Sequence, residues 1–359
     1  FAVLGSGQLE HLYYGRKLHA NEAVMTEKHT FIPGNTNVYN KDYSSYSLED
    51  VCLEMSSLGK GDIREPFIEV TYPNGSRTTD MVFDRAEVIQ GKEEYDTLPG
   101  SYDDNGEVEQ LVIYLKDRNY NLTLELHYYV YEKCDIITRS AKLVNSGNES
   151  VRLERLMSMQ LDLNESDYEL SFFNGAWARE MNRSRIPIRA GKYVNESVTG
   201  TSSNRANPFF MIGRSSTTED YGECYGFNLI YSGNHYEAAQ VNSYGKLRLV
   251  SGINPATFSY IIEAGKCFEA PEAVLTYSYK GYNRMSHNMH EFVRKHIVRG
   301  SWRDKERPVL INSWEAAYFN INERKLVKLA KAAKDTGVEL FVMDDGWFGE
   351  RNDDTSSLG

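Results

Sequence analysis

Two adjacent carboxylates follow an apolar run near the end of the sequence. In "ELFVMDDGWFGE" (339–350), Asp344 and Asp345 come directly after the apolar residues. Two carboxylates offer several acceptor sites, enough to bind neighbouring hydroxyls of a sugar through charge-assisted hydrogen bonds. The pair could instead cap a following helix, because Asp is a favoured N-cap residue. The sequence pattern by itself leaves both interpretations open.

A tryptophan ends a second apolar run upstream. "PVLINSW" (308–314) reads as a short strand that ends at Trp314, and residues 338–343 are apolar nearly throughout, as in a parallel strand covered on both faces. An indole ring can cover the apolar face of a pyranose, although tryptophan at a strand end is often part of the core. Parallel strands present their carboxyl ends at one edge, so Trp314 and the Asp344–Asp345 pair are predicted to face one ligand-binding mouth.

The segment between these two runs predicts a helix. "NINERKLVKLAKAAKDTG" (320–337) has one apolar stripe, Asn320 as the candidate N-cap with Glu323 three residues on, and Gly337 as a stop. A strand–helix–strand unit of this kind opens an α/β barrel or a doubly wound sheet.

Residues 1 to about 283 have a different pattern, typical of β-structure. Strands are predicted over 122–131, 152–163, 227–233 and 244–253, separated by turn signals. The first of these places apolar residues at period two, which predicts one buried face made of Leu122, Leu124, Leu126, Tyr128 and Val130. Many strands without intervening helices predict a β-sandwich. A helix is then predicted over 282–298.

Charge and cysteine content narrow the function classes. The chain has 359 residues and a net charge of −11, so nucleic acid and anionic membranes are not expected partners. No apolar stretch approaches the length that spans a bilayer. The four cysteines are widely spaced without a CxxC pair, which argues against zinc and disulfides and predicts a reducing, cytoplasmic location. No motif indicates a metal or another cofactor.

Two motifs about thirty residues apart carry a resemblance to a known family. "RPVLINSWEAAYFNIN" (307–322) and "ELFVMDDGWFGERNDDTSSLG" (339–359) resemble the bacterial α-galactosidases of glycoside hydrolase family 36. Shorter matches lie upstream, in "GQLEHLYYG" (7–15), "GDIREP" (61–66) and "GAWARE" (175–180). The sequence departs from the family's usual pattern at two of these positions, with Asn320 in place of Asp and Ile63 in place of Phe.

The resemblance implies a fold and an activity. The expected architecture is a β-supersandwich over 1–283, a connecting helix and linker over 284–306, and the first β/α units of a truncated (β/α)8 TIM barrel over 307–359. The implied activity is that of a retaining α-galactosidase, which hydrolyses terminal non-reducing α-D-galactosyl residues of oligosaccharides such as melibiose and raffinose. The alternatives are an α-N-acetylgalactosaminidase, an α-galactosyl transferase of the same family, or a non-catalytic sugar-binding fragment.

The same resemblance implies roles for five residues. Asp344 and Asp345 would bind the O4 and O6 hydroxyls of galactose, and Trp314 would stack on the sugar or border the pocket. Trp177 would reach the pocket from the β-domain; otherwise it is a buried sandwich tryptophan. Asp42, in a loop matched by 37–50, would enter the pocket of a neighbouring subunit in a homo-oligomer, a tetramer or dimer; otherwise it is a solvated turn residue.

Other residues near the acid pair receive smaller roles. Trp347 is expected to pack under the pair, and Arg351 either supports the loop or belongs to a solvated charge run. No catalytic residue is assigned. The family's nucleophile lies in a Lys-x-Asp-x-x-Arg motif on a later barrel strand, expected beyond Gly359, and Asp135 in "KCDIIT" lacks the arginine.

Overall fold

The chain forms two compact units. A computed structural model describes residues 1–19, 29, 37–202 and 204–355. The first unit is Phe1–Ile297 and the second is Val298–Gly359.

The described residues of the first unit form eighteen strands, four short 3-10 helices and one α-helix, which follows the last strand. The strands are β1 (Ala2–Val3), β2 (Leu9–Glu10), β3 (Ile68–Thr71), β4 (Met81–Gln90), β5 (Glu109–Asp117), β6 (Leu122–Tyr131), β7 (Ile136–Asn145), β8 (Val151–Leu163), β9 (Glu169–Ala176), β10 (Arg179–Pro187), β11 (Gly191–Glu196), β12 (Ala206–Gly213), β13 (Cys224–Ile230), β14 (His235–Val241), β15 (Leu247–Ile253), β16 (Tyr260–Ile262), β17 (Cys267–Glu269) and β18 (Glu272–Ser278). The helix is α1 (Gly281–His296).

These strands form two large antiparallel sheets. The ten-stranded sheet has the order β10-β9-β12-β13-β18-β7-β6-β5-β4, with β17 also paired to β7. The six-stranded sheet has the order β11-β14-β15-β8-β16, with β3 also paired to β8. Strands β1 and β2 form a separate ribbon. The four strands predicted from the sequence correspond to β6, β8, β13 and β15, with ends shifted by up to three residues.

The two sheets pack face to face around a shared core. Buried side chains of the large sheet, such as Leu124 and Phe227, belong to the same clusters as buried side chains of the small sheet, such as Leu153 and Leu249. Apolar side chains at every second position of a strand face one side of its sheet, so alternation along both sheets fills the space between them. The predicted β-sandwich is confirmed.

The predicted buried face of β6 is correct except at Val130. Leu122, Leu124 and Leu126 are buried in the core between the sheets. Beyond them the buried side chains are Tyr129 and Tyr131, which lie in a cluster with α1. Tyr128 is partly buried and packs against the same core as the three leucines, so only the burial predicted for Val130 is wrong. Val130 is exposed, because α1 covers the opposite face of the sheet at this end.

Helix α1 confirms the helix predicted over 282–298, within two residues at each end. Its buried side chains, among them Met285 and Phe292, pack on the outer face of the large sheet. The division between the compact units falls between Ile297 and Val298, because this packing joins α1 to the first unit. The predicted segments 1–283, 284–306 and 307–359 stay predictions.

The second unit is a strand–helix–strand unit, as predicted. Its elements are β19 (Leu310–Asn312), α2 (Trp314–Ala317), α3 (Glu323–Asp335) and β20 (Leu340–Val342), and the two strands pair in parallel. The N-cap of α3 is Asn322, whose side chain accepts a hydrogen bond from the Lys325 amide, so the predicted cap at Asn320 is wrong by two residues. The predicted stop is confirmed, since Gly337 follows α3 with a φ of +89°.

Two further observations concern membrane-spanning helices and metal sites. None of the helices in the described part of the chain is long and apolar enough to cross a membrane. Within the same residues, no three His, Cys, Asp or Glu side chains are grouped so that they could hold a metal ion.

Candidate functional site

The carboxyl ends of β19 and β20 lie side by side. The parallel register pairs Asn312 with Val342, the last residues of the two strands. The ladder continues one step further, where the Ser313 amide donates to the Val342 carbonyl at 3.1 Å. Residues that directly follow each strand are therefore neighbours at one edge, as predicted from parallel pairing.

Asp344 is held by the residues that end β19. The Asn312 Nδ2 group donates to Asp344 Oδ2 at 2.7 Å, and the Asp344 amide donates to Ser313 Oγ at 3.1 Å. The Asn312 side chain also accepts a hydrogen bond at Oδ1 from the Trp314 amide at 3.2 Å. One carboxamide thus links the first acid of the pair to the backbone of the tryptophan.

Asp345 is held by an arginine from the loop that follows. Arg351 donates to Asp345 Oδ2 at 3.3 Å, and the arginine side chain is only 11% exposed. A second carboxylate, Asp354, lies 3.7 Å from the same guanidinium but is largely exposed. Of the two alternatives predicted for Arg351, support of the loop is therefore confirmed.

Aromatic contacts connect Trp314 to the same loop. The ring centroid of Trp314 is 5.0 Å from that of Phe319 in an edge-to-face arrangement, and Arg351 lies 5.6 Å from the Phe319 ring centroid. Gly346 passes close to Phe319, where an added Cβ would come within 3.1 Å of the ring, and its φ is +92°. Only glycine adopts that conformation at little cost in so narrow a space.

These contacts close into a ring that contains both acids and the tryptophan. Besides the five contacts described above, a sixth joins the two acids: the Asp345 amide donates a hydrogen bond to Asp344 Oδ1 at 2.9 Å. The members, in order, are Asp344, Asn312, Trp314, Phe319, Arg351 and Asp345. We name this set the acid–indole ring. It fixes two half-buried carboxylates and Trp314 at one edge of the sheet, the acids through hydrogen bonds and the indole through its contact with Phe319.

The alternative that the acids cap a helix is not supported. The structure describes only bends and turns between Met343 and Thr355, so no helix in that range begins at the acid pair. The position predicted for Trp347 is wrong. Its side chain is 58% exposed and its ring contacts neighbouring Phe348, because the turn at Gly346 directs it outward.

Trp177 lies in the first unit, at the tip of the β9–β10 hairpin. Its side chain is 87% exposed, so the alternative of a buried sandwich tryptophan is wrong. The turn residue Ala178 has a φ of +58°, an unusual conformation for a residue with a side chain. A Cβ added at Gly175 would lie 2.3 Å from the Arg179 carbonyl oxygen, so the backbones of the two hairpin strands approach each other closely at this glycine.

Asp42 also lies in the first unit, in a short 3-10 turn at Lys41–Tyr43. The Asn40 side chain caps this turn by accepting hydrogen bonds from the Asp42 and Tyr43 amides at 2.9 and 3.0 Å. Asp42 is exposed. Its surroundings agree with a solvated turn residue, and its assignment to a partner's pocket stays a prediction.

Sequence reasoning missed two members of the acid–indole ring, Asn312 and Phe319. An asparagine at the end of an apolar strand was a usable signal, because a buried strand rarely ends in a polar amide without a partner for it. For Phe319 the signal was indirect. Gly346, directly after the acids, indicates a turn that passes close to another part of the chain, but it does not say which part.

Comparisons with known proteins agree with the resemblance. The model of the glycosyl hydrolase family 36 N-terminal domain matches residues 7–263, and the Melibiase model matches residues 267–359. Alpha-galactosidase AgaA of Geobacillus stearothermophilus is 40% identical over 360 residues, which cover 99% of this chain and 49% of that protein.

Solved structures match over the same range. The crystal structure of AgaA superposes with a TM-score of 0.96 at 38% identity, covering 100% of this chain and 50% of the other. A variant of AgaA in complex with raffinose gives a TM-score of 0.94 at 38% identity, covering 99% and 50%. The chain thus spans about half the length of several curated relatives it matches. Since the first of the two family models covers well over half of the chain, the chain belongs to glycosyl hydrolase family 36.

Proposed function

We propose that this chain contributes the galactose-binding edge of a retaining α-galactosidase. The substrates would be oligosaccharides that end in an α-D-galactosyl residue, such as raffinose and melibiose. The observation that carries the proposal is the acid–indole ring, which combines paired carboxylates and a tryptophan at the carboxyl ends of two parallel strands. Relatives named as α-galactosidases, including an AgaA variant in complex with raffinose, support the choice of sugar.

Each member of the pair has a separate task in this proposal. Asp344 and Asp345 accept hydrogen bonds from the O4 and O6 hydroxyls of galactose, and each keeps lone pairs beyond those used by Asn312 and Arg351. Trp314 covers the apolar face of the sugar or borders the pocket. The acids bind rather than react, so the nucleophile and the general acid/base are assigned to other residues of the full-length enzyme.

The remaining assignments also belong to the proposal. The second unit would be the start of a (β/α)8 barrel, whose ligands meet the carboxyl ends of its strands. Trp177, at an exposed hairpin tip, would reach the pocket from the β-domain, and Asp42 would enter the pocket of a neighbouring subunit. The second role requires a homo-oligomer. A cytoplasmic location agrees with the four cysteines, none of which forms a disulfide bond within the described residues.

The experiment compares the full-length enzyme with its Asp344→Asn and Asp345→Asn variants on an aryl α-galactoside. Each substitution removes a charge-assisted hydrogen bond worth roughly 1.5–3 kcal/mol, so kcat/KM should fall about 10- to 100-fold per substitution. Asp304→Asn is the matched control, because Asp304 is 79% exposed and pairs only with its neighbour Arg303 among the ion pairs of the described residues.

The control variant should retain the wild-type kcat/KM. Equal rates for wild type and the double variant Asp344→Asn/Asp345→Asn would overturn the binding role of the pair. Comparing the same enzyme on aryl α-galactoside and aryl α-N-acetylgalactosaminide tests the choice of sugar separately.

A further inference from the structure

A cavity lined by both charged and aromatic side chains lies entirely within the first unit. It encloses about 820 Å³, and its described walls come from the ends of β6, β7 and β18, from residues 14–17 and from α1. We call it the Tyr279 groove, after the aromatic side chain at its rim. Nothing in the proposed galactoside chemistry of the second unit uses these residues.

The rim of the groove presents an exposed aromatic ring. Tyr279 follows β18 and is 51% exposed, so its ring is accessible from the groove. The Arg16 guanidinium carbon lies 5.6 Å and the Lys280 Nζ atom 5.4 Å from the ring centroid. Cations at such distances are attracted to the ring and restrict its motion. A restrained, accessible ring can stack on the apolar face of a sugar.

The charges that line the groove are largely paired with one another. Arg284 donates to Asp135 Oδ2 at 3.0 Å, and Lys17 pairs with Glu132 on the opposite wall. Paired groups keep free lone pairs and N–H groups, so they offer acceptors and donors together. A ligand rich in hydroxyl groups uses both kinds, whereas a simple anion would use only the donors.

The floor of the groove contains a buried amide with an unmet acceptor. Asn288 lines the cavity and is 1% exposed. Its Nδ2 group donates to Thr276 Oγ1 at 3.1 Å, and that hydroxyl donates to the Asp135 carbonyl at 2.9 Å. Among the described residues, Asn288 Oδ1 has no hydrogen-bond partner. A buried acceptor left in this state is costly, and a hydroxyl group at the floor would supply the donor.

We propose that the Tyr279 groove binds a neutral saccharide. Tyr279 stacks on the ring of one sugar unit, the Asp135–Arg284 pair binds its hydroxyls, and Asn288 accepts a hydrogen bond at the floor. Such a site would hold a glycan chain on the β-sandwich. This binding does not depend on hydrolysis, so it stands or falls independently of the proposed α-galactosidase activity.

The test measures raffinose binding by saturation-transfer NMR and isothermal titration calorimetry. The full-length protein carries Asp344→Asn and Asp345→Asn, so that binding at the acid–indole ring is weakened. Raffinose binding should remain in this background, and Tyr279→Ala should weaken it roughly tenfold, as expected for a lost stacking contact. Tyr279→Phe should restore binding to within about twofold, because the phenyl ring keeps the stacking surface.

Tyr221→Ala is the matched control, since Tyr221 is a 71% exposed tyrosine of the same unit that does not line the groove. Three outcomes would overturn the proposal: no raffinose binding in the starting variant, equal loss in Tyr221→Ala and Tyr279→Ala, or displacement of raffinose by sodium sulfate but not by sodium chloride at equal ionic strength. The third outcome would identify the groove as an anion site.

Discussion

The two units of this chain differ in where they place their charged side chains. In the first unit, Arg248 is fully buried and donates to Asp162 at 2.6 Å, and Glu54 is only 4% exposed. In the described part of the second unit, no charged residue is buried, and Asp344 and Asp345 are half-buried. Charges in the first unit hold strands together, whereas those in the second remain within reach of a ligand.

The units also differ in how well they cover their apolar strands. The small sheet covers one face of the large sheet, and α1 covers part of the other. In β19 and β20, Leu310 is 53% exposed and Leu340 is 40% exposed. Parallel strands with such sequences normally have both faces buried. We therefore expect removal of buried charges in the first unit to change stability and substitutions around the acid pair in the second to change recognition.

The largest effect is expected for Arg248→Met in the first unit. Besides Asp162, Arg248 pairs with Asp62 at 2.8 Å, so its removal leaves two buried carboxylates without this partner. We expect the free energy of unfolding to fall by about 3–5 kcal/mol, measured by far-UV circular dichroism in urea. Lys116→Met, which breaks an exposed pair with Asp84, is the control and should cost less than about 1 kcal/mol.

The stability of the first unit should also depend on the protonation of Glu54. Burial by itself would raise the pKa of Glu54, but the charge of Arg139 and hydrogen bonds from His11 and Tyr128 outweigh it and hold the pKa well below its usual value. A depressed folded-state pKa adds stability that is fully present above the unfolded-state pKa of about 4.3 and is lost as the pH falls toward the folded-state pKa.

Glu54→Gln should therefore lower the free energy of unfolding by roughly 2–3 kcal/mol at pH 7 and by nearly the same amount at pH 5. Below about pH 4 the difference from wild type should shrink. Urea unfolding at pH 7, 5 and 3 measures this. A difference that grows as the pH falls would contradict the assignment of the Glu54 pKa.

Asn312→Ala tests whether the second unit positions its acid pair and tryptophan for recognition. It removes the carboxamide that links Asp344 to the Trp314 amide, so both groups lose their fixed positions. In the full-length enzyme we expect kcat/KM on an aryl α-galactoside to fall about tenfold, mainly through KM. The circular dichroism transition of the first unit should not change.

Asn352→Ala is the matched control, because the Asn352 side chain is exposed and donates only to the Glu350 carbonyl among the hydrogen bonds of the described residues. Asn312→Asp is not expected to keep the kcat/KM that Asn312→Ala loses, because it would place a third carboxylate beside Asp344. Unchanged KM in Asn312→Ala would show that the acid is positioned by other contacts.

The smallest effect is expected for Asn322→Ala, which removes the N-cap of α3. The loss of the bond to the Lys325 amide should cost about 1 kcal/mol. Tryptophan fluorescence reports this unit, because three of the four tryptophans, Trp302, Trp314 and Trp347, lie in it. Asn320→Ala should have a smaller effect. A larger loss of stability for Asn320→Ala than for Asn322→Ala would instead support Asn320, the N-cap predicted from the sequence.

Local patterns in the sequence were sufficient to predict some elements of each unit, among them four strands of the sandwich and the helix that follows it. The period-two run of β6, the helical stripe of α3 and the two apolar strands around it were all predictable, because backbone geometry repeats every few residues. The predicted meeting of Trp314 and the acid pair also followed from parallel strands alone.

The tertiary structure alone decided which neighbours these residues have. Tyr129 and Tyr131 are buried because α1, some 150 residues later, covers their face of the sheet, and no pattern within β6 reports that cover. Asn312 holds Asp344 because the strand register brings residues about thirty positions apart into contact. Sequence periodicity fixes which side chains share a face, but what lies against that face depends on distant parts of the chain.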